Sequence, residues 1–590
     1  MDIVSFAQYG YEGEIIKVEA DLRRGIPAVD IVGLPDGAVR EARERMRAAI
    51  RNSGLEFPRE RILINLSPAD LKKEGSGFDL PIAIAVLLAS GEENTKEVKS
   101  QTDLQKNDWL ECPVMVLGEL ELSGTVRGVK GVLSAVSRGL EDGIRWYIVP
   151  EANRKEAEIR KEAKVIGVSN LSEAVHLIKT IYETENGTIG MVNTLDTANT
   201  RAGAGTLSAA NTRADADTLH TPNTRANACT LSTANTRAMP CRYSASWSDS
   251  GTVSDNAGYE DIRGQHRLIR ALQIAAAGDH HLIAYGPPGC GKTLALRRFP
   301  LLLPDLDEET AVTVTRIYSI AGLVKGDGTE AGKDALFRRP PFREPHPNAS
   351  LEGIAGGGKN CRPGEISLAH GGALFLDEAT QFRSSVLQSL RSPLETGSVT
   401  VSRAGRTDTF PSRFQLLMAV NPCPCGNYGT AGRICTCTSE MIEQYWKKMT
   451  APLLDRIDLR VDLQSPRAEE ITGGAAYTTA GLREEIGRAR EIQNARNRTN
   501  GSIKKNDSWL NAHIGSGDIE KLCFLEGSVA RLFEKSMEAA RLSGRGAHGI
   551  LKTARTIADL EGAENIGEEH ILEAVQFRRW KGAVPDFLQE

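Results

Sequence analysis

The stretch "GPPGCGKT" at residues 286–293 constrains the fold of this sequence more than any other segment. It fits the phosphate-binding pattern G-x-x-x-x-G-K-[ST]. The apolar segment "HLIAY" (281–285) precedes it, and the helix-forming run "LALRRF" (294–299) follows. Because a strand, a glycine-rich loop and a helix in this order form a nucleotide site, we expect an α/β fold with a parallel sheet around this loop.

The residues of the loop have separate expected roles. Gly286, Gly289 and Gly291 let the backbone wrap closely around phosphates. Lys292 is expected to reach the β- and γ-phosphates of ATP, and Thr293 to bind Mg²⁺. The other nucleotide-binding positions that we predict are Pro287, Pro288, Cys290 and Leu294.

Two later strand-like segments, "GGALFLDEAT" (371–380) and "FQLLMAVNP" (414–422), end in polar residues. The first has the Walker B pattern, in which Asp377 would hold Mg²⁺ through water and Glu378 would orient and polarise the attacking water. Asn421, at the end of the second, would position that water near the γ-phosphate. The alternative for Asn421 is a turn-forming residue before proline.

Arg456 lies just before the strand-like part of "PLLDRIDLRVDL" (452–463). An arginine from a neighbouring subunit can neutralise charge that develops on the γ-phosphate in the transition state. This interpretation requires a ring of subunits. The alternative is a surface ion pair between Asp455 and Arg456.

The P-loop, "LFLDE", "AVNP" and "LLDRID" in this order resemble AAA+ ATPases of the helix-2-insert branch. Three further stretches are similar to its magnesium-chelatase-like YifB/ComM family, namely "PPFREPHPNAS" (340–350), "GGGKNCRPGEISLAHGG" (356–372) and "ARTIADLEG" (554–562). The resemblance implies a homo-oligomeric, hexameric ring that uses ATP and Mg²⁺. Some members of the family are DNA branch-migration helicases. The resemblance also implies an ATP-sensing lid arginine at Arg545, with Arg555 as the second candidate.

The segment "GSVTVSRAGRTDTFP" (397–411) has the alternating pattern of a β-hairpin. In the AAA+ branch that the chain resembles, this position holds a hairpin that projects into the central pore. Arg403 and Arg406 would then grip DNA phosphates without reading bases; the alternative is a pair of ordinary solvated arginines. We expect remodelling of branched or single-stranded DNA, and the alternative is chelatase-like remodelling of a protein partner.

The pattern along the chain divides it into four regions, and the family resemblance implies what each of them is. They are a Lon-protease-like α/β domain (1–182), a low-complexity repeat linker (183–255), an AAA+ ATPase base domain (256–464) and a helical lid or magnesium-chelatase-like C-terminal domain (465–590). In the linker the triplet Asn-Thr-Arg recurs every twelve residues from Asn199. The repeat unit has one leucine and no aromatic residue, so it cannot bury enough surface to order itself, and we expect disorder.

In the first region, five segments are predicted strands: "EIIKVEADL" (14–22), "AVDIVG" (28–33), "RILINLS" (61–67), "PVMVLGEL" (113–120) and "WYIVP" (146–150). Asp36 is predicted to cap a helix whose apolar face runs from Ala38 to Ile50. The polar stretch 96–109 is predicted to be a surface loop.

The resemblance of the first region to the Lon-type fold implies a serine–lysine pair in an active peptidase. Gly77 occupies the expected serine position, with Ser76 one residue away. Leu133 lies at the expected lysine position, with Lys130 three residues earlier. We therefore expect this domain to be an inactive scaffold.

Cys423, Cys425, Cys435 and Cys437 lie within the fifteen residues "CPCGNYGTAGRICTC". Four thiolates can form a tetrahedral structural zinc site, although each Cys-x-Cys pair is one residue tighter than the usual Cys-x-x-Cys. Free thiols in a folded loop and a redox switch are the alternatives.

The net charge of −5 means that any contact with nucleic acid must come from local basic patches. The N-terminus has no signal-peptide pattern, and no apolar run reaches the roughly 18 residues of a membrane span. We therefore expect a cytoplasmic protein without a membrane partner.

Overall fold

The computed structural model describes residues 3–579 except 72, 74, 76, 97–112, 186–257, 325–335, 359–360, 404–405, 431, 467–468, 471–475, 500–509 and 541. Residues 1–174 and 251–590 form one unit, and residues 175–250 form a second. The predicted repeat linker from residue 186 onward, the predicted loop from residue 97 onward and Ser76 lie outside the described residues.

The N-terminal part contains a mixed sheet of seven strands in the order β3-β4-β2-β1-β5-β8-β9. These strands are β1 (Ile3–Ala7), β2 (Glu14–Arg23), β3 (Val29–Val32), β4 (Arg61–Ser67), β5 (Val114–Val116), β8 (Trp146–Pro150) and β9 (Lys164–Val168). A separate antiparallel pair joins β6 (Glu119–Leu120) and β7 (Val126–Arg127). The helices are α1 (Gly37–Asn52), α2 (Asp79–Lys96), α3 (Val132–Glu141), α4 (Arg154–Ala157) and α5 (Leu171–Glu185).

The five strands predicted for this region are present, but the segment 113–120 is divided between β5 and β6. Strands β1 and β9 were not predicted. Strand β1 pairs antiparallel with β2 and parallel with β5, so it joins the two halves of the sheet. The predicted helix cap is confirmed, because the Val39 backbone N–H donates to Asp36 Oδ1 at 2.8 Å. Such a cap contributes about 1 kcal/mol.

The second half of the chain is built on five parallel strands in the order β11-β14-β17-β10-β18, which confirms the predicted parallel sheet. They are β10 (Leu282–Tyr285), β11 (Phe342–Arg343), β14 (Ala373–Leu376), β17 (Gln415–Val420) and β18 (Leu459–Asp462). Strands β10, β14 and β17 are neighbours and run in the same direction. The loops after their carboxyl ends therefore meet at one edge of the sheet.

Shorter strands and helices surround this sheet. The strands form two antiparallel pairs, β12 (Gly356–Gly357) with β13 (Arg362–Pro363) and β15 (Ser398–Arg403) with β16 (Arg406–Pro411). The helices are α6 (His266–Gly278), α7 (Lys292–Arg297), α8 (Glu308–Ala321), α9 (Leu351–Ala355), α10 (Glu365–Leu368), α11 (Ser384–Ser389), α12 (Pro393–Thr396), α13 (Ser439–Trp446) and α14 (Ala451–Leu454).

The described C-terminal residues are helical, as the sequence predicts, and share a hydrophobic core with the sheet. The helices are α15 (Thr479–Thr499), α16 (Ile519–Leu522), α17 (Gly527–Ala540), α18 (Gly544–Glu561) and α19 (Glu568–Arg578). Buried His280 links the two parts, with Nδ1 2.9 Å from an Asp458 carboxylate oxygen and Nε2 2.8 Å from the Thr556 hydroxyl. No helix in the described ranges is long and apolar enough to cross a lipid bilayer.

Helix α3 of the N-terminal part contacts helix α8 of the second half. The Ser319 hydroxyl on α8 donates to buried Glu156 at 2.5 Å and accepts from the Gly131 backbone N–H at 3.0 Å. Leu133, at the expected peptidase-lysine position, is fully buried, and the end of the Lys130 side chain lies beside Gly322. Both positions considered for a peptidase lysine thus lie at or beside this domain contact.

Candidate nucleotide-binding site

The phosphate loop leaves the sheet after β10 and ends where α7 begins at Lys292. Gly289 and Gly291 have φ of +82° and +88°, a left-handed backbone that favours glycine. At Gly286 the requirement is space, because a Cβ there would lie 2.5 Å from the carbonyl oxygen of Leu463. The three glycines therefore fix the sharp path of the backbone that the sequence pattern predicts.

Lys292 is a buried cation, with 7% of its surface exposed. Its Nζ donates to the carbonyl oxygens of Gly286 at 2.6 Å and Pro287 at 2.8 Å, and to Asn421 Oδ1 at 3.1 Å. Burial lowers the pKa of the Lys292 amine. Because these three oxygens are neutral, the ammonium group is suited to an anionic ligand, which would compensate the cost of its desolvation.

Two carboxylates, those of Asp377 and Glu378, follow directly after β14. The Thr293 hydroxyl donates to Asp377 Oδ1 at 3.2 Å. A hydroxyl and a carboxylate are oxygen donors of the kind that Mg²⁺ accepts beside nucleotide phosphates. Glu378 has φ of +49°, an uncommon value for a residue other than glycine, and its carboxylate accepts from Gln381 Nε2 at 2.5 Å. The positive φ fixes the backbone at Glu378, and the bond from Gln381 restrains its carboxylate.

These groups line a cleft of about 360 Å³. The lining residues are Pro288, Gly289, Gly291, Lys292, Thr293, Leu294, Asp377, Glu378, Ala419 and Asn421. Nine of these ten were predicted from the sequence. Ala419 was missed because an alanine within a strand carries no chemical signal. Of the other predicted loop residues, Gly286 and Pro287 bind the Lys292 amine through their carbonyl oxygens, and Cys290 is buried.

Comparison with known families covers most of the chain. The family described as "Magnesium chelatase, subunit ChlI" matches residues 258–471, and "Magnesium chelatase, subunit ChlI C-terminal" matches residues 476–578. The family "Subunit ChlI of Mg-chelatase" matches residues 18–153. Between the first two matched ranges along the chain, residues 154–257 are not covered, and this stretch includes the repeat region.

Two full-length relatives decide the assignment. The chain is 34% identical over 579 residues to the competence protein ComM of Haemophilus influenzae, covering 98% of this chain and 97% of the relative. It is also 34% identical over 576 residues to protein YifB of Escherichia coli, covering 97% and 96%. The chain belongs to the YifB/ComM family of magnesium-chelatase-like proteins. The magnesium-chelatase 38 kDa subunit of Rhodobacter capsulatus is a more distant relative, 23% identical over 53% of this chain and 84% of its own length.

Arg456 and Arg545 are the two arginines that were predicted to act on ATP in this YifB/ComM-family chain. Neither is among the residues that line the cleft. Arg456 Nη2 donates to one Glu395 carboxylate oxygen at 2.7 Å, and Arg545 donates to the other. Arg456, followed by Arg545, lowers the pKa of that carboxyl. The alternative pairing of Arg456 with Asp455 is not the one observed, because Arg456 pairs with Glu395 and Asp455 accepts from Arg578 at 2.9 Å.

Arg555, the second candidate for the lid arginine, has a structural position. Its guanidinium is 5% exposed and bonds Asp559 and the carbonyl oxygens of Ala563 and Glu564. These bonds tie helix α18 to the turn that follows it, and Arg555 is not among the residues that line the cleft. Glu395 itself was not predicted, since no local pattern indicates that two distant arginines share its carboxylate.

The predicted hairpin is present as β15 and β16, with Arg403 and Arg406 as its last paired residues. One face of the hairpin is buried through Val399, Val401 and Phe410. The opposite face exposes two cross-strand pairs of hydroxyls, Thr400 with Thr409 at 3.2 Å and Ser402 with Thr407 at 3.0 Å. The hairpin therefore presents a polar, hydroxyl-bearing surface that leads to the two arginine positions.

The four clustered cysteines come together, and their Sγ atoms all lie within 4.8 Å of one another. The Sγ–Sγ separations include 3.3 Å for Cys423–Cys425, 3.7 Å for Cys423–Cys435 and 3.6 Å for Cys425–Cys435. Zinc–sulfur bonds of about 2.3 Å in a tetrahedron place the sulfurs about 3.8 Å apart. The separations are also too long for a disulfide, whose sulfurs lie about 2.05 Å apart. The arrangement is compatible with a structural zinc ion.

Proposed function

We propose that the protein is an ATPase that couples hydrolysis in a hexameric ring to the remodelling of branched or single-stranded DNA, as in branch migration. The observation that carries the ATPase part is the buried Lys292 ammonium group, whose oxygen ligands are neutral and which lies in a cleft beside Thr293 and Asp377. A polyphosphate with Mg²⁺ satisfies both the cation and the carboxylate.

The proposed roles follow from position. Lys292 and the loop hold the phosphates, Thr293 and Asp377 hold Mg²⁺, and Glu378 and Asn421 place the attacking water. Bound Mg²⁺ would neutralise charge that develops on the phosphates. Asn421 already contacts Lys292 at 3.1 Å, so the residue that places the water and the residue that binds phosphate share one hydrogen bond.

The hairpin supports DNA as the substrate. Hydroxyls and arginines are common ligands of phosphate oxygens, and they bind the backbone independently of sequence. The Arg403→Ala/Arg406→Ala double variant is expected to lose stimulation of ATP turnover by DNA while basal turnover stays. Turnover should be measured with single-stranded and branched DNA across a salt series, since phosphate contacts weaken as salt rises.

A matched control removes the same charge elsewhere. Arg24→Ala/Arg51→Ala changes two exposed arginines of the N-terminal part and should keep the DNA response. If the hairpin variant responds to DNA as the unsubstituted protein does, the hairpin is not the DNA contact. If DNA leaves turnover of the unsubstituted protein unchanged at low salt, remodelling of a protein partner becomes the leading function.

Arg456 is proposed to act on ATP bound to the neighbouring subunit. Arg456→Ala is expected to bind ATP normally and to lower turnover by about 10³-fold or more. Mixing Arg456→Ala with Lys292→Ala subunits tests the placement, because a mixed ring contains some interfaces with an intact Lys292 and an intact Arg456. Turnover above the sum of the separate variants is expected; no gain on mixing would contradict action between subunits.

We also propose that the four cysteines hold a structural Zn²⁺. The support is that their four Sγ atoms all lie within 4.8 Å of one another.

A further inference from the structure

We infer that the cysteine loop, residues 422–438, is a metal-held support for the phosphate loop, so that metal occupancy sets the affinity for nucleotide. The inference rests on the proposed ATP and zinc sites and adds a coupling between them. It is argued from three contacts through which the cysteine loop reaches the cleft.

The first contact is covalent. Asn421, which lines the cleft and binds Lys292, is followed directly by Pro422 and Cys423. Cys423 is fully buried, and it is the cysteine whose sulfur accepts from the Tyr428 backbone N–H at 3.4 Å. A metal ion bound to the Cys423 sulfur would therefore restrain the backbone two residues after Asn421.

The second contact runs through Trp446, which is fully buried. Its Nε1–H donates to the Pro422 carbonyl at 3.0 Å, and its ring lies 5.7 Å from that of Tyr285. Tyr285 is the last residue of β10, directly before Gly286. The start of the cysteine loop and the start of the phosphate loop are thus packed on the same indole.

The third contact is direct. Gly426 has φ of +79°, and a Cβ on it would lie 2.7 Å from Pro288 Cδ. The backbone of the cysteine loop therefore touches the side chain of Pro288, which lines the cleft. The fit leaves no room for a side chain at position 426 unless one of the two loops moves.

The cysteine loop has no helix or strand of its own among its described residues 422–430 and 432–438. A few hydrogen bonds connect it internally, for example Gly426 N–H to the Cys423 carbonyl at 2.9 Å and Asn427 Nδ2 to the Ile434 carbonyl at 3.3 Å. A metal ion bound by four thiolates would cross-link its two ends and supply most of its rigidity. Without the ion, the cysteine loop would become more mobile, and its contacts would hold Pro288 and Asn421 less firmly in place.

Three variants separate the steps of this inference. Cys435→Ser removes a thiolate from the part of the loop that is distant from Gly426 in sequence, and Gly426→Ala keeps all four thiolates but displaces Pro288. Ile434→Ala changes an 86% exposed side chain of the same loop as a control. Zinc content, free thiols, melting temperature and affinity for a fluorescent ATP analogue are measured on each full-length protein. A zinc-selective chelator, applied to the unsubstituted protein with Mg²⁺ retained, provides the same comparison without substitution.

We expect Cys435→Ser and the chelated protein to lose zinc and to bind the analogue about tenfold more weakly. Gly426→Ala is expected to keep zinc and show the same loss of affinity, and Ile434→Ala to keep both. Metal-free protein that still folds and binds the analogue with unchanged affinity would overturn the coupling. Purified protein with no zinc and four free thiols would instead overturn the metal site, and unsubstituted protein that binds no nucleotide would overturn the ATP site.

Discussion

Replacing Glu378 by Gln is expected to lower ATP turnover by about 10²–10⁴-fold while leaving ATP affinity nearly unchanged. The substitution removes the negative charge that would polarise water but keeps the shape of the side chain. The bond to Gln381 and the left-handed backbone at position 378 place no demand on that charge, so the fold should tolerate the change. Turnover at saturating ATP and binding of a fluorescent analogue are the two measurements.

Glu440→Gln supplies the matched control for this result. Glu440 is exposed in the first turn of α13 and does not line the cleft, so the same loss of charge there should leave turnover intact. If Glu378→Gln turned over ATP at the normal rate, Glu378 would not be the residue that activates water. If it failed to bind the analogue, its role would be to hold the nucleotide.

The grouping of the candidate site residues could be predicted from sequence because each part is a short pattern at the end of a strand. The phosphate loop, Asp377 and Asn421 are separated by more than a hundred residues overall, yet parallel neighbours β10, β14 and β17 bring their ends to one edge. Once three apolar strands are identified, the geometry of a parallel sheet predicts that the residues following them lie close together. Asp36, which caps α1 as predicted, is another case of a local signal that suffices.

Contacts between distant parts of the chain could not be predicted in this way. Glu395 joins Arg456 and Arg545 across a long sequence separation, and Gly426 meets Pro288 because two loops happen to lie at the same edge of the sheet. Neither residue belongs to a pattern with a physical period or a chemical signature. Strand β1 was missed for a related reason: it is a short apolar run whose two neighbours lie elsewhere in the sequence.

The contacts that the N-terminal part makes with the second half of the chain could not be predicted from the sequence either. Tyr11 lies under the Arg316 guanidinium at 4.2 Å and makes an edge contact with Phe410 of β16 at 6.2 Å. The turn between β1 and β2 therefore contacts both helix α8 and the buried face of the hairpin. A scaffold role, which the sequence predicts for this domain from missing peptidase residues, is consistent with these contacts.

Replacing Lys292 by Ala is expected to raise the dissociation constant for ATP about 30-fold or more, so that turnover is strongly reduced at ordinary substrate concentrations. The buried ammonium group is desolvated before the nucleotide arrives, and losing one partner of a buried charge pair costs about 2–5 kcal/mol. At about 1.4 kcal/mol per tenfold change, this range corresponds to roughly 30-fold to several-thousand-fold in affinity. Titration with a fluorescent ATP analogue measures it directly.

The control must separate lost binding from lost folding, because Lys292 also bonds Gly286, Pro287 and Asn421. Lys447→Ala, which removes an exposed ammonium group paired with Glu443, should keep ATP affinity. Melting temperature without nucleotide should change little in both variants, whereas the rise in melting temperature on adding ATP and Mg²⁺ should disappear only in Lys292→Ala. A Lys292→Ala protein that is stabilised by ATP as strongly as the unsubstituted one would show that the nucleotide lies elsewhere.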